Sequence, residues 1–186
     1  MRSLPRLLPL IALVVLAAFG PAGTQTQAAR SPFDSLHFRG IGPAATGGRI
    51  HDLQIDSKDP AILYIGAATG GIWKSTNKGV TWKDIFANQS DNTFGALAIF
   101  ERDPKIIWAG TGEQNNRQSS SWGGGVYRSE DAGETWTYLG LHDTRAIGRM
   151  VLDRADPNIA FVAAVGNLWA ENAERGVFKT TDAGRT

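Results

Sequence analysis

The chain has 186 residues, a formal net charge of +1 and no Cys. These features exclude a disulfide framework, a lipid-modified N-terminal Cys and the basic bias expected of a nucleic-acid partner. Its 22 Gly and six Trp, with weak helical periodicity throughout, favour short strands joined by tight turns.

Residues 1–29 read as a secretory signal peptide. Arg2 and Arg6 precede the apolar run from Leu7 to Phe19, which Gly20 and Pro21 end. The run falls short of the roughly 20 residues that span a bilayer, so no membrane insertion is expected after cleavage. Cleavage is placed after Ala28, with Thr26 at the third position back, and Ala29 fits nearly as well. A secreted or periplasmic location follows. Residues 30–47 form an N-terminal segment in which Ser35 to Ile41 is expected to supply a ring-closing strand.

The remainder is a repeat. Gly79, Gly133 and Gly184 recur 54 and 51 residues apart, the length of one four-stranded propeller blade. A second marker, Asp59-Pro60, Asp103-Pro104 and Asp156-Pro157, recurs with them between two apolar runs. Unit one (48–94) has predicted strands at Arg49 to Ile55, Ala61 to Gly66, Gly71 to Ser75 and Thr81 to Phe86. Unit two (95–147) has them at Ala96 to Phe100, Ile106 to Gly110, Gly125 to Ser129 and Thr135 to Leu139. Unit three (148–186) has Arg149 to Leu152, Ile159 to Ala164 and Gly176 to Thr180. Hairpin-length connections make every sheet an antiparallel meander, so the fold class is all-β: a propeller of four-stranded blades, about three of a larger ring.

Each unit carries the same box: Ser75, Asn77, Gly79 and Trp82; Ser129, Asp131, Gly133 and Trp136; Thr180, Asp182 and Gly184. The Ser or Thr and the Asp or Asn accept hydrogen bonds from backbone N–H groups of a turn, and the Gly takes a positive φ. The Trp anchors the turn, burying its ring against the outer strands while the indole N–H finds an acceptor. Because Asn77 replaces Asp, the role is structural. A calcium loop is disfavoured, since one carboxylate per copy is too few for 6 to 8 oxygen ligands.

These residues resemble the Asp box (BNR-like repeat), Ser-x-Asp-x-Gly-x-Thr-Trp, of sialidases, sortilin-type receptor domains and two-propeller xyloglucanases. The Gly-Gly-aromatic-Arg/Lys lead-in and the Asp-Pro turns are most similar to large secreted bacterial proteins with sortilin-like or xyloglucanase-like propellers. The resemblance covers Phe38 to Thr186 and implies that the chain is an N-terminal fragment, partnered by the remaining blades of its full-length protein. It specifies fold better than activity, because one scaffold hosts many functions.

Alternating hairpins place the boxes on one face and the connections between second and third strands, with those between blades, on the other. Ligands are expected on the second face. There Gly112 to Gly123 and Gly166 to Arg175 are insertions, bringing Glu113, Gln114, Asn115, Arg117 and Trp122, then Asn167, Trp169, Glu171 and Glu174. A carboxylate, amides and an exposed Trp suit a sugar, and a solvated insertion whose Trp covers the next blade is the structural alternative. The blade-to-blade segments add Asp91, Asn92, His142, Asp143 and Arg145. Arg49 and Arg149 are read as equivalent positions at the start of the innermost strand, suited to an anion or, more simply, to pairing with carboxylates.

Glycoside hydrolysis needs an acid and a base flanking one bond. The resemblance implies a catalytic Asp two residues before the first Gly-Gly, where this chain has Ala68. That departure counts against the mechanism and leaves Glu113 as the one weak catalytic candidate. His37, His51 and His142 lack metal spacing, so neither metal nor cofactor is expected. No phosphate-binding loop or Gly-x-Ser-x-Gly is present, and Arg49 and Arg149 alone do not establish the arginine triad, drawn from several blades, that sialidase activity requires.

The leading expectation is a secreted sortilin-like module that binds a glycan or peptide on its loop-rich face without catalysis in this fragment. The alternatives are a xyloglucanase-like glycoside hydrolase completed by further residues, and an assembly scaffold for exported proteins.

Overall fold

The computed structural model describes residues 49–115 and 117–186. The expected signal peptide, its cleavage site and the strand at Ser35 to Ile41 lie outside the described residues. Three antiparallel sheets follow one another along the chain. Sheet 1 contains β1 (Ile50–Ile55), β2 (Leu63–Ala67), β3 (Ile72–Ser75) and β4 (Lys83–Asp84). Sheet 2 contains β5 (Phe94–Ile99), β6 (Ile107–Thr111), β7 (Val126–Ser129) and β8 (Thr137–Gly140), and sheet 3 contains β9 (Ile147–Leu152), β10 (Ala160–Ala164) and β11 (Gly176–Thr180). Within each sheet, consecutive strands are neighbours. The first strands also lie side by side, β1 against β5 and β5 against β9, so the sheets radiate from that line as propeller blades.

The core sits between blades. Tyr64, Ile72, Ile85 and Phe86 of sheet 1 and the turn after it meet Phe94, Leu97, Ile107, Ala109 and Tyr127 of sheet 2. On its other side, sheet 2 presents Ala96, Ala98, Trp108 and Val126 to Ile147, Met150, Ala160, Val162 and Ala164 of sheet 3. The inner strands of sheet 2 therefore alternate their side chains between two neighbouring blades rather than between core and solvent, which is why β5 and β6 read as nearly continuous apolar runs.

A further rung repeats in all three sheets. An aromatic residue on the second strand faces a cation directly opposite on the third: Tyr64 with Lys74, Trp108 with Arg128, Phe161 with Lys179. The charged groups stand 5.5, 5.7 and 5.6 Å from the ring centroids, within cation–π range.

The boxes form turns of one design. Ser75, Ser129 and Thr180 accept hydrogen bonds through their hydroxyls from the N–H groups of Gly79, Gly133 and Gly184 at 2.8, 2.9 and 2.9 Å. Asn77, Asp131 and Asp182 accept from the backbone N–H of Thr81, Thr135 and Thr186. The Asp and Asn copies differ in one proton: the Thr135 and Thr186 hydroxyls donate to their carboxylates, whereas the Asn77 amide donates to Thr81. Not only the glycines but also Lys78, Ala132 and Ala183 before them have left-handed φ, near 60°. Burial pushes the Asp131 carboxyl up, but the hydrogen bonds from the Thr135 side chain and backbone and from Ser129 outweigh it and hold the group down at about 2.

The second box also reaches across to sheet 1. The Trp136 indole N–H donates to the Ile85 carbonyl at 2.8 Å, and its ring lies edge-on to Phe86 at 5.1 Å. Lys74 donates to the Ala132 carbonyl at 3.0 Å, and Gly133 leaves the space that Ile85 fills. The box is thus an inter-blade clamp as well as a turn.

Two strand expectations change. The fourth strand of sheet 1 is only Lys83–Asp84, because the Asp84 carboxylate accepts from the Phe86 N–H at 2.8 Å and turns the chain out of the ladder. Arg149 is not equivalent to Arg49. It pairs in register with Ala163, as Asp52 pairs with Gly66, while Arg49 precedes β1. A register shift near the start of every first strand lengthens the chain there and hides this from an alignment by eye.

Candidate functional site

The loop face is built by hydrogen bonds between the connections inside each blade and those between blades. Gly70 and Gly71 donate to the Asn92 carbonyl. The β6–β7 loop is tied at both ends: Gly112 donates to the Thr93 carbonyl and Gly123 to that of Arg145, while the Thr93 hydroxyl donates to the Trp122 carbonyl. In the β10–β11 loop, the Asn172 amide donates to the Asp143 carbonyl at 2.9 Å and Arg175 to the Asn167 carbonyl at 2.8 Å. Glycine is required where the strands of this mesh cross, since a Cβ on Gly112 would stand 2.0 Å from the Arg145 carbonyl oxygen.

Trp122 is the part of this mesh offered to solvent. It is 48% exposed, and the Arg145 guanidinium stacks 4.8 Å from its ring centroid. The Arg145 backbone holds φ 60° and ψ −40°, a conformation sustained only by the contacts around it. The indole is therefore backed by a cation and remains half exposed. Trp169 is 55% exposed, and its backbone N–H donates to the Asn167 side-chain oxygen at 2.9 Å.

The remaining sequence candidates divide between interior and surface. Glu113 points inward. Its side chain is fully buried and paired with Arg49, 64 residues away, through one oxygen, while the other oxygen has no partner. Ala68 is likewise buried and carries no proton-transfer group. Gln114 enters a cleft along the first strands, where its side-chain oxygen lies over Gly148. This cleft, about 460 Å³, is also lined by His51, Asp52, Gln54 and Arg149. Asp52 is already engaged, by the Leu97 N–H and the Gln54 amide. Asn115 and Arg117 are exposed at the loop tip, where the Arg117 N–H donates to Ser120 at 3.0 Å. Arg49 is thus a structural partner of Glu113, whereas Arg149 is exposed in the cleft.

A second cavity, of about 500 Å³, opens at the outer side of the same face between Gln89, Ser90, Asp91, Gly124, Tyr127, Tyr138 and His142. The Tyr127 hydroxyl donates to Asp91 at 2.6 Å. Burial, reinforced by that hydrogen bond, pushes the phenol up to about 12. Sequence reasoning noted Asp91 and His142 as linker residues but treated both tyrosines as strand positions only. Their period along β7 and β8 does not reveal which side is open. Among the described residues, no group of three or more His, Asp or Glu is arranged to hold a metal ion, and no helix is long and apolar enough to cross a membrane.

No family model matches the chain. Among curated proteins, it is 29% identical over 106 residues to Xyloglucanase Xgh74A of Acetivibrio thermocellus, covering 45% of this chain and 12% of that protein. A xyloglucanase of Paenibacillus sp. is 26% identical over 149 residues, covering 68% and 14%. The chain therefore spans a small part of the curated relatives it matches. Among solved structures, an ancestral GH74 enzyme superposes with a TM-score of 0.60 at 20% identity, over 79% of this chain and 18% of that one. The GH74 xyloglucanase from Xanthomonas campestris gives 0.52 at 19% identity, over 74% and 22%. YCF48 bound to D1 peptide gives 0.50 at 14%, over 76% and 39%. The chain has the β-propeller fold of these xyloglucanase neighbours.

Proposed function

We propose that the chain is part of an exported, xyloglucanase-like glycoside hydrolase, in which its loop face holds a β-glucan chain. Trp122 carries this reading: its exposed indole, stacked on Arg145, offers a flat apolar surface of the kind that stacks on the C–H face of a pyranose ring. The similarity to two curated xyloglucanases supports xyloglucan as the glycan. The side-chain-capped turns support reading the three repeats as Asp boxes. Hydrolysis by the whole protein requires a carboxylate pair, and the described loop face does not assemble one around buried Glu113 and apolar Ala68.

Those same two residues favour a second reading, a sortilin-like module that binds without cleaving. One experiment separates them. The full-length protein is assayed for reducing ends released from xyloglucan, beside titration of binding to the same polymer. The hydrolase reading expects release. Binding without release leaves the module, and Trp122→Ala with unchanged affinity removes the platform from both. Release that is lost in Glu113→Gln, with the thermal midpoint kept, would assign that carboxylate a chemical role despite its burial.

A further inference from the structure

We propose that the outer cavity of the loop face is a second saccharide-binding site, in which Tyr138 stacks on a pyranose ring and Asp91 accepts hydrogen bonds from its hydroxyls. This rests on the glycan reading above but uses residues separate from Trp122. Four segments build the cavity: the linker Gln89 to Asp91, Gly124 ahead of β7, the strand residues Tyr127 and Tyr138, and His142. At about 500 Å³ it lies within the range of small-molecule sites, roughly 300 to 1,000 Å³.

Its walls are set before any ligand arrives. Tyr138 is 48% exposed and belongs to neither buried core cluster, so packing does not account for its ring. Yet that ring is held in place: its hydroxyl donates to the Gly124 carbonyl at 2.9 Å, and Tyr127 backs it with centroids 5.2 Å apart. Asp91 is fixed by Tyr127 and by the close backbone of Gly124, where a Cβ would approach the carboxylate to 2.7 Å. Such fixing lowers the entropy lost on binding.

The lining selects the ligand by elimination. Asp91 has no Lys, Arg or His within ion-pair distance among the described residues, and no Lys or Arg lines the cavity, so an anion would meet an uncompensated carboxylate. One carboxylate is too little for a calcium ion, which takes 6 to 8 oxygens. A wholly apolar ligand would strip water from Asp91, Gln89 and Ser90 without replacing it. A neutral polyol with one C–H face satisfies all of them: its hydroxyls pair with Asp91, Gln89 and Ser90, and its apolar face meets the exposed side of Tyr138.

The test is calorimetric titration of the full-length protein with cellotetraose and with a xyloglucan heptasaccharide. Tyr138→Ala is expected to weaken at least one binding event about tenfold, the equivalent of one well-placed aromatic contact, with the circular-dichroism spectrum and cooperative unfolding retained. Tyr138→Phe, which keeps the ring, should retain most of that affinity. Trp122→Ala distinguishes the two sites. Binding lost in Trp122→Ala and untouched in Tyr138→Ala overturns the second site while leaving the platform in place. Loss in Tyr138→Ala alone supports the second site and removes the platform, and weakening by both supports one continuous cleft that includes this cavity. No heat with either sugar overturns the proposal together with the glycan reading.

Discussion

At the scale of single residues, the repeated box makes the sharpest predictions. Asp131 holds its proton only below about 2 in the folded chain, against about 4 for an unfolded Asp. Its contribution is therefore complete above about pH 4 and is lost as pH falls toward 2, because the unfolded chain takes up the proton first. Asp131→Asn copies what Asn77 already does in sheet 1, and it should flatten the difference between urea midpoints at pH 6 and pH 3. Trp136→Ala removes both the hydrogen bond to Ile85 and the edge-on contact with Phe86, so a loss of about 3 kcal/mol is expected from urea unfolding. The turns were legible in sequence because the hydrogen bonds of the Ser or Thr and the Asp or Asn in each box span two to four residues, whereas the acceptor of the Trp136 indole lies on the preceding blade and was not. The Glu113–Arg49 pair was not, since nothing local announces a partner 64 positions away. Buried carboxylate and exposed loop carboxylate look alike in a string of letters.

At the scale of elements, strand order and count were legible from the period, while the register of the first strands was not. The shift between Ile50 and Asp52, repeated in β5, changes which side chains reach the neighbouring blade, and the bulge leaves no residue signature. The first strands also pack tightly against one another. A Cβ on Gly95 would come within 1.9 Å of the Ile147 carbonyl oxygen, backbone that cannot yield as a side chain does. Gly95→Ala is predicted to lower stability by about 3 kcal/mol or more, at the upper end of overpacking costs, seen as a fall in the thermal midpoint. Gly140→Ala is the control for volume, since nothing lies within 4 Å of an added Cβ there and only its positive φ resists.

For the molecule as a whole, the three blades are not equally covered. Tyr64 and Trp108 are 0% and 1% exposed beneath the following sheet, whereas Phe161, at the same rung of sheet 3, is 42% exposed beside Val151 and Val177. Sheet 1 shows Leu53 and Ile55 on its opposite side. Both faces have the composition of an inter-blade core, and among the described residues no blade lies upon them. The chain expressed as it stands is expected to self-associate with rising concentration, as sedimentation velocity would register, and the double variant Phe161→Ser and Val177→Ser should shift the distribution toward monomer. An unchanged distribution would mean that these faces do not drive association. Glycine content and turn spacing pointed to a propeller. That the inner strands of sheet 2 serve two cores became visible only once the blades were set side by side.

The aromatic–cation rung has a consequence for how such a protein can change. Partners on the second and third strands meet in the same register in all three blades, although their separation along the chain is twice as long in sheet 2 as in sheet 1. The rung closes the hairpin below the loop, leaving the loop free to vary in length and content while the blade beneath it stays the same. The loop face can therefore be treated as a set of exchangeable inserts. Grafting Gly112 to Gly125 between β2 and β3 is a direct trial of that modularity, and evolution has the same freedom to acquire a new ligand without inventing a new fold.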